Sequence, residues 1–298
     1  MESPRKFWII NSLGNRFDLI DNNENKCILV NPAGLGFSRS YSVVNIGSSE
    51  LLTDYNLEMV DFTGELVFYD DSNGKKYQNY ENFVQFVKYK PLQMYYQPPN
   101  VLEDSAFYAD VLLVSTEKTE ISSDDSTLRI PLTFHRLSQW LTASDIIYTL
   151  TNDPIDAGKY YELVRDYHYT GTNLSNTVIN VTGTNDIGFT FIIEGEVQNP
   201  KFTLTQNGEE YGICKIDGTY DFVRIDSEET VESIYLERNG STISNPESHQ
   251  DFTVVNGHSY ITWCKLRVGE TLFNFTCGNI DTFDGVLKIS FKNSYASV

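Results

Sequence analysis

The sequence predicts a mostly β protein in two domains: a β-sheet carrying one α-helix, followed by an antiparallel β-sandwich. Three observations predict it. Short apolar runs alternate with turn residues along most of the chain, and a single stretch keeps a helical period. The chain has 298 residues, 40% of them hydrophobic, with 19 Tyr and 18 Phe, which is enough for packed cores in two domains and excludes a disordered chain.

In chain order, Phe7–Asn11 and Arg16–Leu19 flank Ser12-Leu13-Gly14-Asn15, a hairpin with glycine at the turn. Cys27–Val30 reads as a strand, and Asn31–Phe37 as a loop in which Gly34 and Gly36 serve the backbone turn. Gly64–Tyr69 is a further strand, closed by the turn Asp70–Gly74. From Tyr77 to Tyr89 apolar residues recur at Tyr80, Phe83, Val84 and Val87, the stripe of a helix that Pro91 must stop. Leu92–Gln97 returns to strand, and Phe107–Lys118 pairs with Ser126–Phe134 across the acidic turn Ser122–Asp125.

Between Trp140 and Tyr160 no periodicity persists and turn residues dominate. The expected domains are therefore residues 1–145 and 161–298, joined by a linker over 146–160. In the second, strands are expected at Tyr167–Thr170, Val178–Val181, Gly188–Glu194, Lys201–Gln206, Glu210–Lys215 and Tyr220–Ile225. Five more follow at Ser233–Arg238, Gln250–Val254, Ser259–Arg267, Thr271–Thr276 and Gly285–Phe291. Turns at Asn207-Gly208, Asn239-Gly240 and Asn256-Gly257 space them as an antiparallel sandwich requires, and jelly-roll and galectin-like sandwiches both fit.

Composition narrows function. With 41 acidic against 22 basic residues the formal charge is −19, which repels phosphate and anionic lipid, so sequence-reading of nucleic acid and membrane docking are not expected. The apolar run after the first residues is too short for a signal peptide and no stretch approaches a membrane span, so a protein made and folded in the cytoplasm is expected. Cys27, Cys214, Cys264 and Cys277 lie far apart without a CxxC pair and read as reduced, structural thiols.

Catalytic motifs are missing. His135, His168, His249 and His258 have no metal-binding spacing, and neither a GxSxG elbow nor a phosphate-binding GxxxxGK[ST] occurs. Gly34-Leu35-Gly36 opens no helix and so cannot seat a phosphate. Glu194/Glu196 and Glu228/Glu229 are the carboxylate pairs a glycoside hydrolase would need, the first pair on one side of a strand; solvated strand-end charges are the plainer reading. Among strand aromatics, including Tyr211 and Tyr220, Tyr235, Tyr260 and Trp263 are the set that would stack on a sugar, although such residues more often pack a core. No catalytic, cofactor or metal residue is assigned.

Three ordered landmarks resemble a known family. They are Phe7-Trp-Ile-Ile-Asn-Ser-Leu-Gly-Asn-Arg-Phe-Asp-Leu19, Asn31-Pro-Ala-Gly-Leu-Gly-Phe37, and Phe83-Val-Gln-Phe-Val-Lys-Tyr-Lys-Pro-Leu92. Together they look like siphophage distal tail proteins of phages infecting Gram-positive bacteria, and Gly278–Gly285 is similar to the family's C-terminal end. The resemblance implies a structural virion protein, not an enzyme: a homohexameric ring hub at the tail tip, assembled in the host cytoplasm. It implies an N-terminal belt domain that forms the ring and a galectin-like sandwich that projects outward. Implied partners are the tail tube protein, a tail-associated lysin or tip protein and a receptor-binding protein, with DNA passing through the channel unread and no membrane contact. No cofactor is implied. At this length the chain has no room for the large sugar-binding insertions of some relatives. On this resemblance the expected assembly interface is Phe7, Trp8, Asn31, Gly34, Gly36, Phe37, Phe83 and Val87. A host cell-wall glycan-binding module and, third, a glycoside hydrolase stay open as other readings.

Overall fold

The computed structural model describes residues 5–20, 26–46, 48–70, 72–118, 127–151, 176–227, 233–244, 252–254 and 265–298. The chain divides into two compact units, Met1–Ser144 with Tyr295–Val298, and Asp145–Ser294.

The first unit contains β1 (Lys6–Ile10), β2 (Arg16–Asp18), β3 (Cys27–Ala33), β4 (Phe37–Ile46), β5 (Ser49–Met59) and β6 (Phe62–Tyr69). After the helix α1 (Asn73–Phe86) come β7 (Leu92–Gln97), β8 (Phe107–Thr116), β9 (Thr127–Arg136) and β10 (Trp140–Thr142). An antiparallel sheet runs β2-β1-β7-β8-β9-β6-β3, and β10 joins it through β8. The β1–β2 hairpin is organised by buried Asn11: its Oδ1 accepts from the N–H groups of Leu13 and Asn15, and its Nδ2 donates to Phe86 O at the end of α1. One side chain thus closes a turn and satisfies an orphan helix carbonyl.

Ser72 caps α1, its Oγ accepting from Lys75 N–H. The helix then lays Tyr80, Phe83 and Val87 on the sheet, where Phe83 meets Phe17 and Phe68 at ring distances of 5.4 and 6.4 Å. In β9 the alternate residues Leu128, Ile130, Leu132, Phe134 and Arg136 all turn inward, as period-two geometry demands. Phe7 and Ile9 face this core. Trp8 points to the other side of the sheet and is covered there: it stacks on Tyr95 at 5.1 Å, Tyr95 stacks on Tyr108 at 5.3 Å, and the Arg16 guanidinium lies 4.4 Å over the indole.

The second unit contains β11 (Ile146–Thr151), β12 (Asn176–Val181), β13 (Thr190–Gln198), β14 (Lys201–Gln206), β15 (Glu209–Ile216) and β16 (Thr219–Asp226). It continues with β17 (Ser233–Arg238), β18 (Ser241–Ser244), β19 (Phe252–Val254), β20 (Gly269–Thr276) and β21 (Val286–Phe291). One antiparallel sheet has the order β11-β21-β13-β16-β17-β18 and the other β12-β20-β14-β15-β19. Their inner faces share one apolar core, with Phe191 of β13 at 5.0 Å from Phe202 of β14 and 5.5 Å from Phe273 of β20. That is a β-sandwich. Asn207 and Gly208, and Asn239 and Gly240, all take positive φ, the geometry of a two-residue hairpin turn. A last strand, β22 (Ser294–Tyr295), pairs with β10, so the C-terminal residues return to the first sheet.

Four expectations change. The helix spans 73–86 instead of 77–89: its first turn is polar and capped by Ser72, hence invisible to an apolar stripe, and Val87 closes it four residues before Pro91. Asn31–Ala33 is not loop but the end of β3, with a register shift after Val30 and Asn31 at φ 51°. The expected linker at 146–160 begins as strand, because Ile146–Thr151 pairs in register with Phe291–Val286. The second domain does not hold the chain end, since Tyr295–Val298 packs with the first unit. The expected strands at 167–170 and most of 259–267, and the turns at 122–125 and 256–257, lie outside the described residues.

Candidate assembly surface

The region between the two strands that enclose it, β3 and β6, is where the first unit departs from ordinary globular packing. Among the described residues β4 and β5 pair only with each other, in register from Phe37↔Met59 to Ile46↔Ser49. At about 3.3 Å per residue the arm reaches roughly 30 Å. A lone two-stranded hairpin is marginal in water. This one also exposes its apolar residues: Phe37, Tyr41 (70% exposed), Val43, Val44, Ile46, Leu51, Leu52 and Met59.

The arm is two-faced near its root. Ser38, Ser40 and Ser42 lie opposite Glu58, Asn56 and Asp54, which makes one side polar and acidic. Phe37 and Tyr41 stand on the other side, with the Arg39 guanidinium 5.3 Å over the Phe37 ring. Beyond a bulge after Ser42, where Thr53 Oγ1 donates to Ser42 O, the facing pairs are Val43–Leu52 and Val44–Leu51. The tip is therefore apolar on both sides. Contiguous exposed apolar surface of this kind marks an interaction site.

The root is rigid. Gly34 has φ 92° and sits against the Asp61 carbonyl so tightly that no side chain fits. Asp61 Oδ1 in turn lies 2.7 Å from His135 Nδ1 on β9. Gly36 faces open space.

Of the residues singled out from sequence, Asn31, Gly34, Gly36 and Phe37 come together at this root. Phe7, Phe83 and Val87 are inside the core and Trp8 is beneath its aromatic stack, so these four side chains hold the subunit itself together. The tip residues Val43, Val44, Ile46, Leu51 and Leu52 were missed. Their signal was present: serines at every second position through Ser38–Ser42, and a Gly47-Ser48 turn between two alternating runs.

The alternative sites come out as follows. Glu194 is exposed and paired with Lys288 Nζ at 2.9 Å. Gly195, at φ 115°, carries a register shift between Glu194 and Val197, so Glu194 and Glu196 do not sit on a regular strand as expected. Glu228, Glu229, Tyr260, Trp263, His168, His249, His258 and Cys264 lie outside the described residues, and for Tyr235 only the backbone, in β17, is described. Tyr220 is core, and Tyr211 lies beneath the Arg267 guanidinium at 4.2 Å. Cys27, Cys214 and Cys277 are free thiols; burial pushes Cys214 up to about 12 and raises Cys277. Among the described residues no three His, Cys, Asp or Glu side chains are placed to hold a metal ion, and no helix is long and apolar enough to cross a membrane.

The fold, a sheet with a helix and a hairpin followed in the chain by a β-sandwich, has counterparts among solved structures. The chain is similar over 96% of its length, at 10% identity and a TM-score of 0.61, to the SPP1 Dit protein, described as a paradigm of the hub adsorption apparatus in phages infecting Gram-positive hosts; 98% of that chain is covered. It is likewise similar over 99% of both chains, at 16% identity and a TM-score of 0.56, to a chain of the phage P2 baseplate in its activated conformation with Ca. Residues 6–137 match the family described as distal tail protein, N-terminal domain. No curated protein matches the chain.

Proposed function

We propose that six copies of this chain form a ring at the distal end of a phage tail, a structural hub between the tail tube protein and a tail-associated lysin or tip protein. The observation that carries this reading is the β4–β5 arm, whose apolar tip has no partner within the described subunit and suits a second copy. In this reading the first unit forms the ring. The sandwich projects outward, with a galectin-like role in carrying receptor-binding proteins. DNA crosses the channel without base-specific contact, and the protein resides in the virion after assembly in the host cytoplasm. It has no catalytic role: of the paired carboxylates weighed from sequence, Glu194 is engaged by Lys288.

The energetics support burial over charge as the driving force. Six copies sum to 6 × −19 = −114, so like charges oppose closure. Each tip side chain buried contributes roughly 1.5–3 kcal/mol, while added salt screens the repulsion beyond about 10 Å at 0.1 M.

Light scattering on the purified chain tests the reading. The expected particle is 6 × 34.0 = 204 kDa, favoured at raised salt and visible in negative stain as a six-fold ring with a hole. A 34.0 kDa species at every concentration and salt, with no ring in the images, overturns it.

A further inference from the structure

The core of the first unit holds a cation where the pattern calls for an aliphatic side chain. Arg136 closes the inward stripe of β9 after Leu128, Ile130, Leu132 and Phe134, opposite the buried Val111 of β8. It is fully buried. Its Nε, Nη1 and Nη2 all lack a hydrogen-bond partner among the described residues, and so does Nε1 of buried Trp140, whose ring centroid is 5.5 Å from the guanidinium carbon. Asp110, on the neighbouring strand, belongs to the other face of β8: its Oδ1 accepts from Gln93 and its main-chain oxygen from Leu137 N–H. Gln139, beside Trp140, leaves Oε1 buried without a donor, and a half-turn of its amide would offer N–H there instead.

Four buried donor nitrogens and one positive charge are therefore left without a bonded acceptor among the described residues. Burial lowers the guanidinium's proton affinity, but arginine does not deprotonate in proteins, so the charge persists. Water can accept the hydrogen bonds but cannot neutralise the charge. We propose that Arg136 and Trp140 form an internal anion site that takes a halide ion. Complete enclosure favours this class, since a single small ion can enter through a local opening, whereas a carboxylate carried on another chain would have to open the sheet.

Bromide and iodide are the probes, titrated into the full-length protein at constant ionic strength held with sodium gluconate. Trp140 is one of three tryptophans, so a halide seated beside it quenches a saturable fraction of the emission, on top of the linear collisional part. The halide also raises the melting temperature above that in gluconate. In Arg136→Met the saturable fraction and the halide-dependent shift are both lost. If that variant fails to fold, Trp140→Phe decides: the halide-dependent melting shift shrinks with the lost donor, whereas a full-sized shift overturns Trp140's part in the site. Linear quenching alone in the parent protein, with the same melting temperature in halide and gluconate, overturns the proposal and leaves the donors to water.

Discussion

Gly34 packs its α-carbon against the main-chain carbonyl of Asp61, fastening the strand that enters the β4–β5 arm to the strand that leaves it. Gly34→Ala must both accept a left-handed backbone and displace Asp61, so a loss of about 2 kcal/mol or more is expected in urea unfolding. Gly36→Ala meets nothing within 4 Å and should stay within about 0.5 kcal/mol of the parent. Equal losses at the two positions would refute this account of the root.

The arm tip separates assembly from folding. Ile46→Asp with Leu51→Asp places charge on exposed side chains, so the monomer's thermal midpoint should hold within a few degrees. Sedimentation should show the ring replaced by single chains. A variant that still forms rings removes the arm from the interface.

Phe83 behaves in the opposite way. It is fully buried between Phe17 and Phe68, so Phe83→Ala is expected to cost about 3–5 kcal/mol of stability, read by chemical denaturation of the first unit. An unchanged midpoint together with lost assembly would instead make it an interface residue.

Thiol titration gives a pH test. Burial raises Cys214 from 9.0 to about 12, so the folded state holds its proton where the unfolded chain has released it. The resulting stability is complete below pH 9.0 and is lost as pH rises toward 12. Alkylation at pH 9.0 mapped by mass spectrometry should label Cys277, which is partly exposed, well before Cys27 and Cys214. Early labelling of Cys214 would contradict its place in the sandwich core.

The pair His135–Asp61 is exposed on both sides, and such pairs contribute about 0–1 kcal/mol. His135→Ala is therefore expected to leave the melting curve nearly unchanged, and a shift of many degrees would mean that the pair anchors the arm.

Legibility in the sequence followed local physics. Leu92–Gln97, Lys201–Gln206 and Ser233–Arg238 were bounded correctly because alternation and turn residues act within a few positions. The helix was seen through Phe83 and Val87 but misplaced by its polar, Ser72-capped start. β11 was hidden because its short alternation, Tyr148-Thr149-Leu150-Thr151, runs straight into the turn-rich 152–158 stretch, and its strand shows through pairing with β21. The candidate surface was half legible. Asn31, Gly34, Gly36 and Phe37 mark its root, whereas Phe7, Trp8, Phe83 and Val87 were apolar landmarks whose burial no local pattern reveals.

By itself the sequence determined a mostly β chain with one helix, strongly acidic and free of catalytic motifs, because composition, period and turn chemistry are properties of neighbouring residues. Only the tertiary structure decided that Tyr41 and Ile46 stay in solvent while Phe83 does not, that the C-terminal residues return to β10, and that Arg136 lies in a core stripe beside Trp140. Those outcomes depend on which strands meet across long sequence separations, and an apolar residue looks the same in sequence whether its partner is its own sheet or another molecule.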